Sequence, residues 1–202
     1  MTTTLRSSLA TGEIVVAPGC YDALSALMIE GAGFSAAYLS GAALAYTRFG
    51  RPDIGLISMA EVVDTVSVST ERASIPLIVD GDTGFGNALN VQRAIFLFSR
   101  CGAQGMRLED QTMPKRCGHL ADKKLVSCGK MVGKIKAALD ARSNPECLVI
   151  AGTDAIAVEG FNAALDRAEE YLIAGAEVLF IEAPRNVRLH QAESTSGDTK
   201  DA

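Results

Sequence analysis

Two carboxylates, Asp80 and Asp82, stand at the end of the apolar run Leu77-Ile78-Val79 and lead into Gly84-Phe85-Gly86. In an extended chain, residues two apart point to the same side, so their repulsion must be relieved by a proton, a cation or water. A hard divalent ion does this well. Mg²⁺ takes a few carboxylate oxygens, keeps several waters and leaves room for an anionic substrate to complete its octahedron. Gly81, Gly84 and Gly86 remove side chains where the backbone must turn and a ligand must come close. An isolated Asp-Gly-Asp reads more readily as a solvated turn at a strand end, so the neighbouring elements decide its meaning.

Those elements alternate between two periodicities. Short apolar runs predict strands at Ile14–Ala17, Ala36–Ser40, Leu77–Asp80, Gly105–Glu109, Leu148–Ala151 and Val178–Glu182. Helical spacing predicts helices over Tyr21–Glu30, Ser58–Ala73, Asn90–Arg100, Lys130–Arg142 and Asn162–Ala174, with a loop from Gly41 to Gly55 and a short opening helix around Leu5 and Leu9. Ser58 and Glu61 have the spacing of a capping box. Strands alternating with helices through short connections imply parallel strands and right-handed crossovers. Gly-Ala-Gly-Phe at 31–34 returns as Cys-Gly-Ala-Gln-Gly at 101–105 and Ala-Gly-Ala-Glu at 174–177, a repeated exit from helix into strand. That regularity favours a (β/α) barrel over a doubly wound sheet. Ser40, Asp80, Glu109 and Glu182 then fall at carboxyl ends of strands, the face on which barrel chemistry sits. A full barrel takes eight units and roughly 250 residues. The expected fold is therefore an α/β, (β/α)₈ TIM-type barrel truncated after the sixth strand, with residues 1–184 as an incomplete barrel and 185–202 as a polar, disordered tail.

The 202 residues, 48% of them hydrophobic, can bury one substantial core. A net charge of −5 and the lack of a concentrated basic stretch argue against a nucleic-acid partner. No apolar run is long enough to span a bilayer, and the opening Met1–Leu9 lacks the apolar centre of a secretion signal. The expectation is a cytoplasmic protein without a membrane partner; Ser and Thr around Arg6 leave a weak mitochondrial transit reading open. Five cysteines, without paired metal spacing, read as reduced thiols.

The segment Leu108-Glu109-Asp110-Gln111-Thr112-Met113-Pro114-Lys115-Arg116-Cys117-Gly118-His119-Leu120, together with Asp80-Gly81-Asp82-Thr83-Gly84-Phe85-Gly86, resembles the isocitrate lyase/phosphoenolpyruvate mutase superfamily. The likeness runs from about Leu5 to Pro184, takes in Tyr38-Leu39-Ser40-Gly41 and Ala151-Gly152-Thr153-Asp154-Ala155, and is nearest the 2-methylisocitrate lyase and carboxyvinyl-carboxyphosphonate phosphorylmutase branch. It implies a usually tetrameric (β/α)₈ enzyme that uses Mg²⁺, with Mn²⁺ as a substitute, to hold a 2-oxo acid or its enolate while a C–C or P–C bond is made or broken. Expected partners are a small carboxylic or oxo acid and either further copies of this chain or a full-length relative. The leading activity is cleavage of a C–C bond in a 2-methylisocitrate-like acid through a pyruvate-type enolate. Phosphonomutase-like or oxaloacetate hydrolase chemistry, or a catalytically impaired binding partner, are the alternatives.

Residue by residue, the resemblance makes Asp82 the nearest metal-binding carboxylate and gives the metal's waters to Asp53, Asp80 and Glu109. Tyr38, Ser40, Gly41, Ala42, Gly118 and Glu182 fall in the substrate pocket. Cys117 is the implied proton donor to the departing carbon, and a thiol flanked by Lys115, Arg116 and His119 is suited to exchanging a proton. At Gly152 the family usually carries an arginine that grips a substrate carboxylate. Its loss implies a missing charge-assisted contact of about 1.5–3 kcal/mol.

Overall fold

The computed structural model describes residues 4–118 and 120–182. In chain order these form α1 (Leu5–Leu9), β1 (Gly19–Cys20), α2 (Ala23–Gly31), β2 (Ala37–Leu39), α3 (Gly41–Phe49), α4 (Met59–Arg72) and β3 (Leu77–Asp80). There follow α5 (Ala88–Arg100), β4 (Gly105–Glu109), α6 (Cys128–Ala141), β5 (Leu148–Thr153), α7 (Ala155–Val158), α8 (Phe161–Ile173) and β6 (Val178–Ile181). All six strands lie in one sheet in the order of the chain, and each neighbouring pair is parallel. A doubly wound sheet reverses its order at a switch point; this sheet does not, which is the arrangement of a barrel. The expected boundary at residue 184 and the tail at 185–202 lie outside the described residues.

Alternation along each strand separates two cores. Outward residues Leu39, Val79, Met106, Leu108, Val149 and Ala151 join the helices through Val66, Ile95, Phe98, Ile135 and Tyr171. Inward residues Ile78, Leu148, Ile150 and Val178 pack on Leu5, Val15, Ala17 and Ala36 at the amino-terminal end of the strands. Higher on that inner face the residues turn polar, and this change from apolar floor to charged mouth places the site.

Helix ends follow their caps. Ser58 and Glu61 form the expected box, with Ser58 N–H donating to Glu61 Oε2 at 2.8 Å. Asp22 and Asn87 cap α2 and α5 in the same way. Two expectations are corrected, and one short helix was not foreseen. Ile14–Ala17 is not a strand: Ile14 is 93% exposed, Val15 and Ala17 serve the inner core as irregular chain, and pairing with β2 begins when Tyr38 N–H reaches the Pro18 carbonyl at 2.9 Å. The predicted loop from Gly41 contains α3, which Ser40 caps by accepting from Ala43 N–H at 3.2 Å. Asp154 leads directly into the short α7, which has no apolar stripe long enough to be read in the sequence.

Below the floor, Glu177 holds three segments together. Its carboxylate accepts from Arg6 at 2.5 Å, Arg142 at 2.7 Å and Val149 N–H at 3.0 Å. Burial raises its proton affinity, but those three donors outweigh burial and hold the carboxyl below the usual range. Because the folded value is depressed, the contribution is present above the unfolded value and lost as pH falls through the folded one. Glu177→Gln is expected to cost about 1.5 kcal/mol at neutral pH, with the difference from wild type closing below about pH 4. Urea melts of both proteins across that range check it; a gap that persists in acid refutes the ionic origin.

Among the described residues no helix is long and apolar enough to cross a membrane.

Candidate active site

The carboxyl ends of β2 to β6 carry a ring of acids with two cations set into it. Lys115, only 2% exposed, reaches from the loop after β4 to Asp53 at 2.7 Å and Asp82 at 2.5 Å. Arg107, 6% exposed, projects inward from β4 toward Glu182 at 2.9 Å, Glu109 at 3.3 Å and Asp80 at 3.7 Å, and its guanidinium stacks 4.4 Å from the Phe180 ring centre. Five carboxyl groups, Asp53, Asp80, Asp82, Glu109 and Glu182, thus face two cations, an acid excess of three.

Backbone geometry sets these positions. β3 stops at Asp80, and Asp82 sits at φ 48°, a left-handed conformation that a side chain rarely adopts. The expected extended Asp-Gly-Asp is therefore a turn: Asp82 N–H donates to Asp80 Oδ1 at 3.1 Å, and Gly84 N–H closes on the Gly81 carbonyl at 2.8 Å. Gly81 has no room for a Cβ, which would lie 2.7 Å from the Arg107 carbonyl oxygen. Lys134 of α6 supports the turn from outside, donating to the Thr83 carbonyl at 2.6 Å. Asp80 also accepts from Gly41 N–H at 3.2 Å, joining the start of α3 to the acids.

Electrostatics follow from burial. Removal from water, and then the charge of Asp80, push Asp82 up to about 6 against the pull of Lys115. Burial likewise holds Glu109 well above the carboxylate range although Arg107 and Lys115 oppose it. For Arg107 and Lys115 the surrounding anions outweigh burial and keep both firmly protonated. Tyr38, beside Asp80 and Arg107, is held well above the usual phenol value, burial being the larger cause.

The sequence expectations meet this geometry unevenly. Asp53, Asp80, Asp82, Glu109, Glu182 and Lys115 converge. Tyr38, Gly41 and Gly118 border them; a Cβ on Gly118 would collide with Glu182. Ser40 serves as a cap, and Ala42 is a half-buried residue of the first turn of α3. Cys117 is half-buried at the rim, its N–H donating to the Asp53 carbonyl at 3.1 Å. The expected cationic flank is corrected in part, because the Lys115 ammonium is turned to Asp53 and Asp82, and the Arg116 side chain is exposed. His119 lies outside the described residues.

Several further polar groups hold the loop in ways the sequence had not assigned. Gln111 grips both backbone groups of Arg116, accepting at 3.0 Å and donating at 2.8 Å. Lys123 holds the Gly118 carbonyl at 2.5 Å and the fully buried Asp154 at 2.7 Å. An antiparallel bridge between Gln111 and Leu125 closes the base of this loop. Beneath it Asp110 accepts from Thr153 at 2.8 Å, Asp154 N–H at 3.0 Å and Tyr171 at 2.8 Å. Arg107 was legible in principle, since it stands two residues before Glu109 and so shares its face.

Among the described residues, two buried acid oxygens, Asp82 Oδ1 and Glu109 Oε1, have no hydrogen-bond partner. Lys115 is near the first as an ion but off the directions of a hydrogen bond. Among the described residues no three acid, thiol or imidazole groups form a ready-made metal cage. Of the proton, cation or water expected to relieve the repulsion, Lys115 and Arg107 supply part as cations. What remains, hard oxygen donors with unspent lone pairs and surplus negative charge, fits a water-rich Mg²⁺ held directly by few side chains.

A family model described as phosphoenolpyruvate phosphomutase matches residues 5–193. The chain belongs to the phosphoenolpyruvate mutase/isocitrate lyase superfamily. Within this superfamily it is 48% identical to the 2-methylisocitrate lyase of Aeropyrum pernix over 179 residues, which are 89% of this chain and 57% of that one. The structure of a 2,3-dimethylmalate lyase superimposes with a TM-score of 0.90 at 34% identity, covering 98% of this chain and 68% of the other. A phosphonopyruvate hydrolase solved with oxalate and Mg²⁺ gives 0.87 at 33%, covering 97% and 68%. The chain thus spans about three fifths of the length of its curated superfamily relatives, 57% in the first of these cases.

Proposed function

We propose that this chain carries the metal and acid-binding face of a Mg²⁺-dependent lyase that cleaves a C–C bond in a 2-methylisocitrate-like 2-hydroxy acid. The observation that carries this reading is the ring of five acids at the strand ends, which outnumber Lys115 and Arg107 and leave Glu109 Oε1 without a hydrogen bond among the described residues. Asp82 would hold the ion directly, and Asp53, Asp80 and Glu109 would hold its waters. When bound, Mg²⁺ supplies Lewis-acid stabilisation of an oxygen that gains negative charge.

Bond counting refines the intermediate. As the hydroxyl proton passes to a carboxylate of the ring, the carbinol collapses to the oxo acid and the broken bond's electrons leave with the other fragment. The enolate therefore belongs to that departing carboxylate fragment, not to pyruvate. Cys117, whose N–H donates to the Asp53 carbonyl at the rim, would protonate its carbon. Lys115 keeps Asp53 and Asp82 in register, and Gln111 and Lys123 fix the loop that presents the thiol. The 2-methylisocitrate lyase and 2,3-dimethylmalate lyase relatives support a lyase reading over hydrolysis.

The test is release of pyruvate from 2-methylisocitrate by the chain with Mg²⁺, before and after chelation. Cys117→Ser should lower turnover by about 10²- to 10⁴-fold, the usual contribution of a positioned acid, while the fold is kept. Turnover that survives the substitution would remove Cys117 from the reaction; no turnover in any Mg²⁺ concentration would remove the lyase reading.

A further inference from the structure

The strand ends hold two buried cations, one enclosed by acids and one with a donor left over. Lys115 lies against Asp53 and Asp82 at 2.5–2.8 Å. Arg107 has five N–H donors and donates through Nη1 to Glu109 and through Nη2 to Glu182. Its buried Nε has no hydrogen-bond partner among the described residues. A buried, unspent N–H in a charged group is costly and calls for an acceptor.

The place for that acceptor is defined by Gly152. β5 pairs with β4 so that Gly152 lies opposite Glu109, one inward position above Ile150, the partner of Arg107. A Cβ on Gly152 would stand 3.2 Å from Arg107 Nε, 3.5 Å from Nη2 and 3.3 Å from the Leu108 carbonyl oxygen. A side chain there would thus crowd the Nε/Nη2 edge of the guanidinium, and glycine leaves uncovered the edge whose two parallel N–H groups match a carboxylate. Phe180 lies opposite Gly152 on β6 and stacks on the same guanidinium, which fixes its plane.

We propose that Arg107 is the residue that binds the carboxylate of the small acid in this site, through its Nε/Nη2 edge, and that Gly152 is small in order to admit that carboxylate. The inference rests on the acid-binding reading above. It also reverses the expectation from the sequence that Gly152 marks a lost grip: the guanidinium is present, one strand over. An arginine at position 152 would have to enter space that Arg107 already borders.

The experiment is titration calorimetry of oxalate into the chain in Mg²⁺ buffer, with circular dichroism as the check on folding. Arg107→Lys keeps the charge but loses the planar fork, and Gly152→Ala keeps Arg107 but fills the volume beside Nε. Both are expected to weaken oxalate by about tenfold or more. Should Arg107→Lys fail to fold, Gly152→Ala alone decides, and wild-type affinity in it overturns the proposal. A folded Arg107→Lys with wild-type affinity overturns it whatever Gly152→Ala does. If the wild-type chain binds Mg²⁺ but no oxalate, the acid-binding reading falls and this assignment with it; if the wild type binds oxalate and the variants match it, the assignment to Arg107 falls alone.

Discussion

Asp82→Ala is expected to lower Mg²⁺ affinity by about 100-fold or more, beyond the 10- to 100-fold typical of residues that only support a ligand. The reason is positional. Asp82 is the acid placed by a left-handed turn, supported by Asp80 below and Lys134 behind, and one of its oxygens has no hydrogen-bond partner. The fold should persist, because Lys115 retains Asp53 at 2.7 Å when Asp82 is removed. Calorimetry of Mg²⁺ into both proteins gives the answer directly. Unchanged affinity in a folded variant places the ion elsewhere.

Much of the scaffold was legible because it depends on local chemistry. Buried parallel strands read as apolar runs, and Ser58 with Glu61 announces α4 by spacing alone. The failures have identifiable physical causes. Ile14–Ala17 is as apolar as a strand, but its contacts are with the barrel floor, and four apolar residues cannot show which backbone they will take. α3 was hidden because Ser40 looks like a pocket residue and not like a cap. The acids of the site were found because a motif carries them. Their ion pairs were not, since Arg107 meets Glu182 across 75 positions of sequence and Lys115 meets Asp53 across 62. Pairing at that range is a product of the sheet order and leaves no local pattern.

Asp154→Ala is expected to be the most damaging single change away from the acid ring. Asp154 is fully buried and accepts from Lys123 at 2.7 Å and Gln111 at 3.1 Å. Its loss strands the Lys123 ammonium in the interior, and breaking such a buried pair typically costs about 3–5 kcal/mol. The same two partners hold the Arg116 backbone and the Gly118 carbonyl, so the loop bearing Lys115 and Cys117 should loosen as well. Hydrogen exchange across residues 111–125, alongside a thermal melt, separates the two effects. A variant with wild-type stability and wild-type protection in that loop would show that the Asp154 network does not position it. Asp154→Asn, which keeps the acceptor but not the charge, should fall between the two.

The sheet's strictly sequential order has a consequence for a chain emerging from the ribosome. Each strand pairs with the one made just before it, so the sheet can grow outward without waiting for distant residues. The charges do not share that schedule. Arg107 is laid down with β4, yet its shortest ionic contact and its stacking surface, Glu182 and Phe180, are supplied only with β6 and the residue after it. Until then its guanidinium faces Asp80 and Glu109 at 3.7 and 3.3 Å, with one flank open to water. A nascent chain that has reached only β5 thus lacks the ionic and stacking partners that complete the surroundings of Arg107.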